Sequence, residues 1–376
     1  MESILSVPQG SFTLHRFPQR RNDKLRAWDA ADEYLLQHLA ENPELTSDAT
    51  TLIINDSFGA LSIALNTLKP IVVSDSWISQ QATQRNLINN HLPEQAIQFK
   101  NSLDWPQQPV DLVLIKAPKT LALFEDQLVR LQPLLKPDTQ IIIAGMVKTM
   151  PATIWKLMEK YLGPTTPSLS RKKARLIFTT LHPSRPQHTS PYPSYYPLEN
   201  TPYTICNHAN VFSRESLDIG SRFLLKHLPV NNSAEHIVDL GCGNGIIGLM
   251  LGQQHPEAHL YFVDESYMAI ASAKENFQQA FAERIAEFHL GDGLTEFPAE
   301  SMDLIVCNPP FHQQNTVGNH IALSMFRQSH RVLKPRGELW VIGNRHLAYH
   351  QDLKKVFGNL SRRAENTKFI IYQVKK

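Results

Sequence analysis

One pattern of strands and helices occurs twice in this 376-residue chain, and that repetition limits the fold more than any single motif does. In the C-terminal half, the apolar run His236-Ile237-Val238-Asp239-Leu240 enters Gly241-Cys242-Gly243-Asn244-Gly245, then an apolar helix and the strand Leu260–Asp264. A second helix precedes the strand Asp303–Cys307, which enters Asn308-Pro309-Pro310-Phe311. In the N-terminal half, Thr51–Asn55 enters Asp56-Ser57-Phe58-Gly59, and the strand Pro70–Asp75 follows. Asp111–Ile115 then enters Lys116-Ala117-Pro118-Lys119. The spacings agree: 20 residues from Asn55 to Asp75 against 25 from Asp239 to Asp264, then 41 to Lys116 against 44 to Asn308. Strands alternating with helices at these lengths predict two α/β units, each a mostly parallel sheet with helices on both faces.

Between the halves, six prolines from Pro183 to Pro202 lie among Ser, Thr, His and Tyr. Such spacing opposes a helix and removes backbone donors from a sheet. The expected division is therefore a first unit at residues 1–180, a Pro-rich linker at 181–203 and a second unit at 204–376.

The glycines of Gly241-Cys242-Gly243-Asn244-Gly245 let a backbone turn sharply and approach a ligand without an intervening Cβ. Alone, that pattern fits a dinucleotide site, another cofactor site or a tight turn. Asp264 ends the next strand, where a carboxylate can accept two ribose hydroxyls. Asp292, in Gly291-Asp292-Gly293, stands where it can meet an adenine amino group. Each aspartate has a plainer reading as a helix cap. The spacing resembles the D-x-G-x-G motif of class I S-adenosylmethionine-dependent methyltransferases. It departs from the dinucleotide fingerprint at Ile246, where that pattern requires Gly.

Asn308-Pro309-Pro310-Phe311 is the most specific motif in the chain. Prolines stiffen a turn, so the Asn308 side-chain oxygen and the Pro309 carbonyl can each accept one hydrogen of a planar exocyclic amine. That grip orients a poor nucleophile and stabilises the positive charge it develops. Phe311 offers a stacking face for a planar substrate. The motif resembles the N/D-P-P-Y/F signature of amino-group methyltransferases acting on adenine, cytosine, guanine or a glutamine amide. By itself it does not select guanine.

Asn207–Arg214 and Leu217–Leu225 resemble the segment before the catalytic core of the ribosomal RNA guanine-N2 methyltransferases, and the resemblance runs over essentially the whole chain, closest in the large-subunit branch. It implies tandem Rossmann-like, seven-stranded methyltransferase domains, the N-terminal one degenerate. It also implies S-adenosylmethionine as cofactor and a guanine of large-subunit ribosomal RNA as substrate. Phe212 and Ser213 would cover the cofactor, beside Asp239, Gly241, Gly243, Asn244, Gly245, Asp264 and Asp292. Other acceptors (small-subunit RNA, DNA adenine, protein glutamine) remain open, as does a non-catalytic RNA-binding assembly role.

In the first half, Ser57-Phe58-Gly59 stands for Gly241-Cys242-Gly243 when positions are counted from the strand ends, and lysines replace the Asn-Pro-Pro-Phe turn. Lysines donate hydrogen bonds and repel a sulfonium, so this half suits phosphates better than a methyl donor. Lys116, Lys119 and the cluster Arg171, Lys172, Lys173 and Arg175 are candidate RNA contacts; a solvated edge is the alternative for the cluster. Residues 1–200 carry 20 Lys+Arg against 18 Asp+Glu and the remainder 17 against 17, so RNA binding must use local patches. Cys206, Cys242 and Cys307 form no CxxC pair, and no metal site is expected. No apolar run approaches membrane-spanning length and the N-terminus lacks signal character, so a cytoplasmic protein is expected.

Overall fold

A computed structural model describes residues 3–19, 25–46, 49–230, 233–310 and 317–376. The chain forms two compact units, Met1–Tyr192 and Pro193–Lys376.

The first unit opens with the hairpin β1 (Ile4–Val7) and β2 (Gly10–Thr13), then α1 (Ala30–Glu41). There follow β3 (Thr51–Ile54), α2 (Ala60–Ala64), β4 (Ile71–Ser74), α3 (Trp77–Asn89), β5 (Gln98–Asn101) and β6 (Val110–Lys116). The remainder is α4 (Leu121–Leu131), β7 (Leu135–Met146), α5 (Thr153–Tyr161), β8 (Thr166–Pro167) and β9 (Ala174–Thr179). Its seven-stranded sheet has the order β5-β4-β3-β6-β7-β9-β8.

The second unit opens with the hairpin β10 (Ser194–Pro197) and β11 (Thr204–Asn207), then α6 (Ile219–Leu225). Next come β12 (His236–Leu240), α7 (Ile246–Gln254), β13 (His259–Asp264), α8 (Tyr267–Ala280), β14 (Glu287–Leu290) and β15 (Met302–Cys307). It closes with α9 (Val317–Val332), β16 (Leu333–Asn344), α10 (Tyr349–Phe357), β17 (Ser361–Glu365) and β18 (Phe369–Lys375). Its seven strands have the corresponding order, β14-β13-β12-β15-β16-β18-β17.

Central strands are apolar on both faces because helices cover both. Leu112 and Leu114 join one core of the first unit while Val113 and Ile115 join the other. Leu304 and Val306 separate in the same way from Ile305 and Cys307 in the second. The segment expected as a linker is partly a strand. Tyr195 and Tyr196 pair with Cys206 and Ile205, while Pro193 and Pro197 stand before and at the end of β10. A two-stranded edge tolerates proline there.

The repetition extends to single hydrogen bonds. Asn86 on α3 donates to the carbonyls of His15 and Phe58, and its Oδ1 accepts from the His15 N–H. Asn276, at the same position on α8, donates to the carbonyls of Cys206 and Asn244, and its Oδ1 accepts from the Cys206 N–H. Strand pairing then corrects the alignment drawn from spacing. Ile54 lies opposite Val73 and Ile115, as Leu240 lies opposite Val263 and Cys307. Asn55 therefore corresponds to Gly241, Ser57 to Gly243, Gly59 to Gly245 and Ser74 to Asp264. Gly59 and Gly245 occupy the N-cap of α2 and α7 at φ 85 and 77, a conformation that suits glycine.

Candidate active site

The glycine loop leaves β12 and folds over the end of β13. The N–H groups of Gly241 and Cys242 donate to the Val263 carbonyl at 2.8 and 3.0 Å. The Gly243 N–H donates to Asp264 Oδ2 at 2.9 Å, and Asp264 Oδ1 accepts from Ser266 at 3.0 Å. Asp239 lies beneath the loop, 1% exposed, with Oδ2 accepting from the Gly248 N–H at 2.7 Å and Oδ1 lacking a partner. Burial pushes its carboxyl up to about 7, with the Gly248 N–H pulling the other way and Asp264 adding to the rise.

The glycines divide by what a side chain would meet. A Cβ on Gly243, at φ +55, would have no atom within 4 Å, and neither would one on Gly291. Packing therefore does not explain these two glycines; they leave a cradle that a Cβ would enter. Gly245 and Gly248 are packing glycines, since a Cβ would come within 2.7 Å of Ala273 and 2.3 Å of Phe262. Asn244 is also turned inward: it is buried and donates to Asn207 Oδ1 at 2.9 Å. It holds β11 to the loop, so its side chain is not aimed at the cradle.

Beyond Cys307, Asn308 is half-buried and Pro309 buried. Asn308 Nδ2 donates to Ser221 Oγ on α6 at 3.1 Å, while Asn308 Oδ1 is buried without a partner. An orphaned buried acceptor costs about 1–3 kcal/mol until a donor arrives, so this atom is open to an N–H from outside the protein. Phe311 lies outside the described residues. Asp292 lies in the loop after β14, where its carbonyl accepts from Thr295 and Gln328. Phe212 is 70% exposed and Ser213 adopts φ 55, in the turn between β11 and α6.

Lys116 differs from the expectation. Its amine lies 2.8 Å from Asp29 and 2.7 Å from Asp32, and the side chain is only 14% exposed. Burial alone would lower its pKa, but the attraction of Asp32 and Asp29 outweighs it and holds the lysine above its ordinary value. A lysine so held is not presented to a phosphate. Lys119 is exposed. Lys172 and Lys173, at φ 48 and 65, form the tip of the β8–β9 hairpin, with Lys172 paired to Glu33 at 2.9 Å and Arg171 to Glu41 at 3.6 Å. Arg175 lies within β9, its Nε buried and unpartnered.

Spacing did not reveal Ser221, Asn207 or Asn276, whose partners are distant in sequence. Nor did it reveal that Cys206, His208 and Glu275 bring possible ligand atoms within 4.8 Å of one another. Burial, reinforced by Glu275, pushes the Cys206 thiol up to about 12. Among the described residues, no helix is long and apolar enough to cross a membrane.

A doubly wound sheet with an open glycine cradle after β12 and an unpartnered amide oxygen after β15 fits the methyltransferase class, to which the family match assigns the second unit. Residues 202–373 match the methyltransferase small domain, and residues 2–183 match the RLMG N-terminal domain. The ribosomal RNA large subunit methyltransferase G of Erwinia tasmaniensis is 49% identical over 374 residues, covering 98% of each chain. That of Ectopseudomonas mendocina is 46% identical over 374 residues, covering 99% of this chain and all of the relative. The chain belongs to the ribosomal RNA large subunit methyltransferase G family. Its fold is shared with the T. thermophilus 16S rRNA N2 methyltransferase RsmC, solved in complex with AdoMet and guanosine. That match has a TM-score of 0.76 at 19% identity and covers 99% of this chain and 97% of the other.

Proposed function

We propose that this protein methylates the exocyclic N2 amine of a guanine in large-subunit ribosomal RNA, using S-adenosylmethionine. The unpartnered Asn308 Oδ1 carries the reading, because it is an acceptor held ready for one amine hydrogen. The Pro309 carbonyl takes the other. Together they aim the nitrogen lone pair and stabilise the charge the nitrogen acquires. When bound, S-adenosylmethionine supplies a methyl group on a sulfonium, already an excellent leaving group.

The open face of Gly243, beside Gly241, admits the cofactor backbone-close, Asp264 receives its ribose hydroxyls and Asp292 meets its adenine amine. Asp239, Asn244 and Gly245 support the loop from beneath. Phe212 and Ser213 cover the site, Pro310 stiffens the turn, and Phe311 stacks on the base. Large-subunit RNA is supported by the family, and guanine N2 by the guanosine in the RsmC complex. The target base must be unpaired or turned out of its stack to reach the amide. The first unit serves RNA recognition through Lys119, Arg171, Lys172 and Lys173, and the protein works in the cytoplasm.

The test is incubation with labelled S-adenosylmethionine and separate pools of ribosomal RNA, ribosomal particles, DNA and protein, followed by nucleoside and amino-acid analysis. N2-methylguanosine confined to large-subunit RNA is expected. Label in adenine, cytosine or glutamine would replace the substrate assignment, and no transfer to any pool would overturn it.

A further inference from the structure

An asparagine amide has two ends of nearly equal size, so its orientation must be set by what it touches. The proposed chemistry needs the oxygen, not the nitrogen, to face the amine. We propose that Ser221 is the positioning residue that anchors the Asn308 amide at the end of β15 so that its oxygen can meet the amine, acting through Asn308; this rests on the reading of Asn308 as the amine's acceptor. Ser221 Oγ accepts from Asn308 Nδ2 at 3.1 Å, and the Asn308 oxygen is thereby the end left unpartnered. With the amide reversed, Ser221 would donate to the oxygen and the nitrogen would oppose the amine as a second donor, so the bound amine selects the orientation that Ser221 then holds.

The serine is itself held in place. Asp218 caps α6, with Oδ2 accepting from the Ser221 N–H at 2.9 Å, and Ser221 is 9% exposed. Gly220, beside it, is closely packed, since a Cβ would meet Asp218 Oδ2 at 3.0 Å and Phe369 at 3.2 Å. The third residue of a capped helix is thus fixed against the end of β15.

The first unit supplies an independent observation. Asp29-Ala30-Ala31-Asp32-Glu33-Tyr34-Leu35-Leu36-Gln37-His38-Leu39 matches Asp218-Ile219-Gly220-Ser221-Arg222-Phe223-Leu224-Leu225-Lys226-His227-Leu228 in its cap, its Leu-Leu pair and its His-Leu end. Asp32 is the third residue of α1 as Ser221 is of α6, and Lys116 follows Ile115 as Asn308 follows Cys307. In both units this helix position bonds the side chain at the end of the fourth strand of the βα series. Where the first unit has a cation there, the helix presents a carboxylate. Where the second has an amide, it presents a hydroxyl. The two positions act as a pair.

The experiment measures methyl transfer to the RNA with full-length protein carrying Ser221→Ala, Ser221→Cys or Ser221→Thr, alongside Asn308→Ala. Ser221→Ala and Ser221→Cys lose the strong acceptor, and kcat is expected to fall about tenfold, the worth of one oriented hydrogen bond. KM for RNA and Kd for S-adenosylmethionine should stay within about twofold. Ser221→Thr keeps the hydroxyl and should restore kcat. The cysteine variant preserves shape, so it decides the matter if the alanine variant is poorly folded. Unchanged kcat in both Ala and Cys variants overturns the proposal, as does equal loss in the threonine variant or a parallel loss of cofactor binding. Retained turnover in Asn308→Ala would instead overturn the acceptor assignment on which it rests.

Discussion

The backbone N–H of Gly243 donates to the carboxylate of Asp264 at 2.9 Å, so one side chain at the end of β13 secures the loop that leaves β12. The same carboxylate is proposed to receive the ribose. Asp264→Ala should therefore weaken cofactor binding by about a hundredfold through the loss of both interactions, each worth about 1–1.5 kcal/mol. Calorimetric titration with S-adenosylmethionine checks this; an unchanged Kd would remove Asp264 from the site.

Gly243 and Gly248 should respond in opposite ways to alanine. At Gly243 the added Cβ meets no atom, so stability should fall only by the left-handed backbone penalty of about 1 kcal/mol. Cofactor affinity should fall about tenfold or more, because the Cβ enters the cradle. At Gly248 the Cβ would lie 2.3 Å from Phe262, and overpacking should lower stability by about 1–3 kcal/mol. Denaturation of the cofactor-free protein paired with cofactor titration separates the two effects.

Asp239 should give the cofactor-free second unit a pH dependence. Burial raises its carboxyl to about 7 in the folded protein, above the ordinary value near 4 that the unfolded chain retains. Its contribution is fully present below about pH 4 and is lost as pH rises through about 7, because the folded state holds the proton that the unfolded state has released. Asp239→Asn should flatten this part of the stability profile between about pH 4 and 7. Urea midpoints measured across that range provide the test.

The lysines of the first unit should divide by burial. Lys119→Glu and Lys173→Glu should each reduce the salt dependence of RNA binding by about one counterion. Lys116→Met should leave that slope unchanged while lowering stability by about 3 kcal/mol, because Asp29 and Asp32 lose their counter-charge. A reduced slope for Lys116→Met would return that lysine to the RNA surface.

The architecture was legible because apolar strands and helices recur at similar spacing in both halves, and Asn308-Pro309 sits at a strand end in a local motif. Register was not. Counting from strand ends matched Asn55 to Asp239, although the ladders align Asn55 with Gly241 and Ser74 with Asp264. Interval counts cannot locate the end of a ladder, whereas the positive-φ cap glycines Gly59 and Gly245 mark it. The fate of Lys116 was hidden for another reason: its partner Asp29 is 87 positions away. A local signal did exist in the Asp-capped helix with Leu-Leu and His-Leu, which occurs twice and places Asp32 and Ser221 in register.

The Lys116–Asp32 contact also restricts the substitutions open to the first unit. Asparagine at 116 alone would strand two carboxylates, and serine at 32 alone would leave the lysine with Asp29 only. Each single change should lower stability, so the two positions are coupled and their substitutions should not add. Altering this contact without stranding a buried charge takes coordinated changes at 32 and 116.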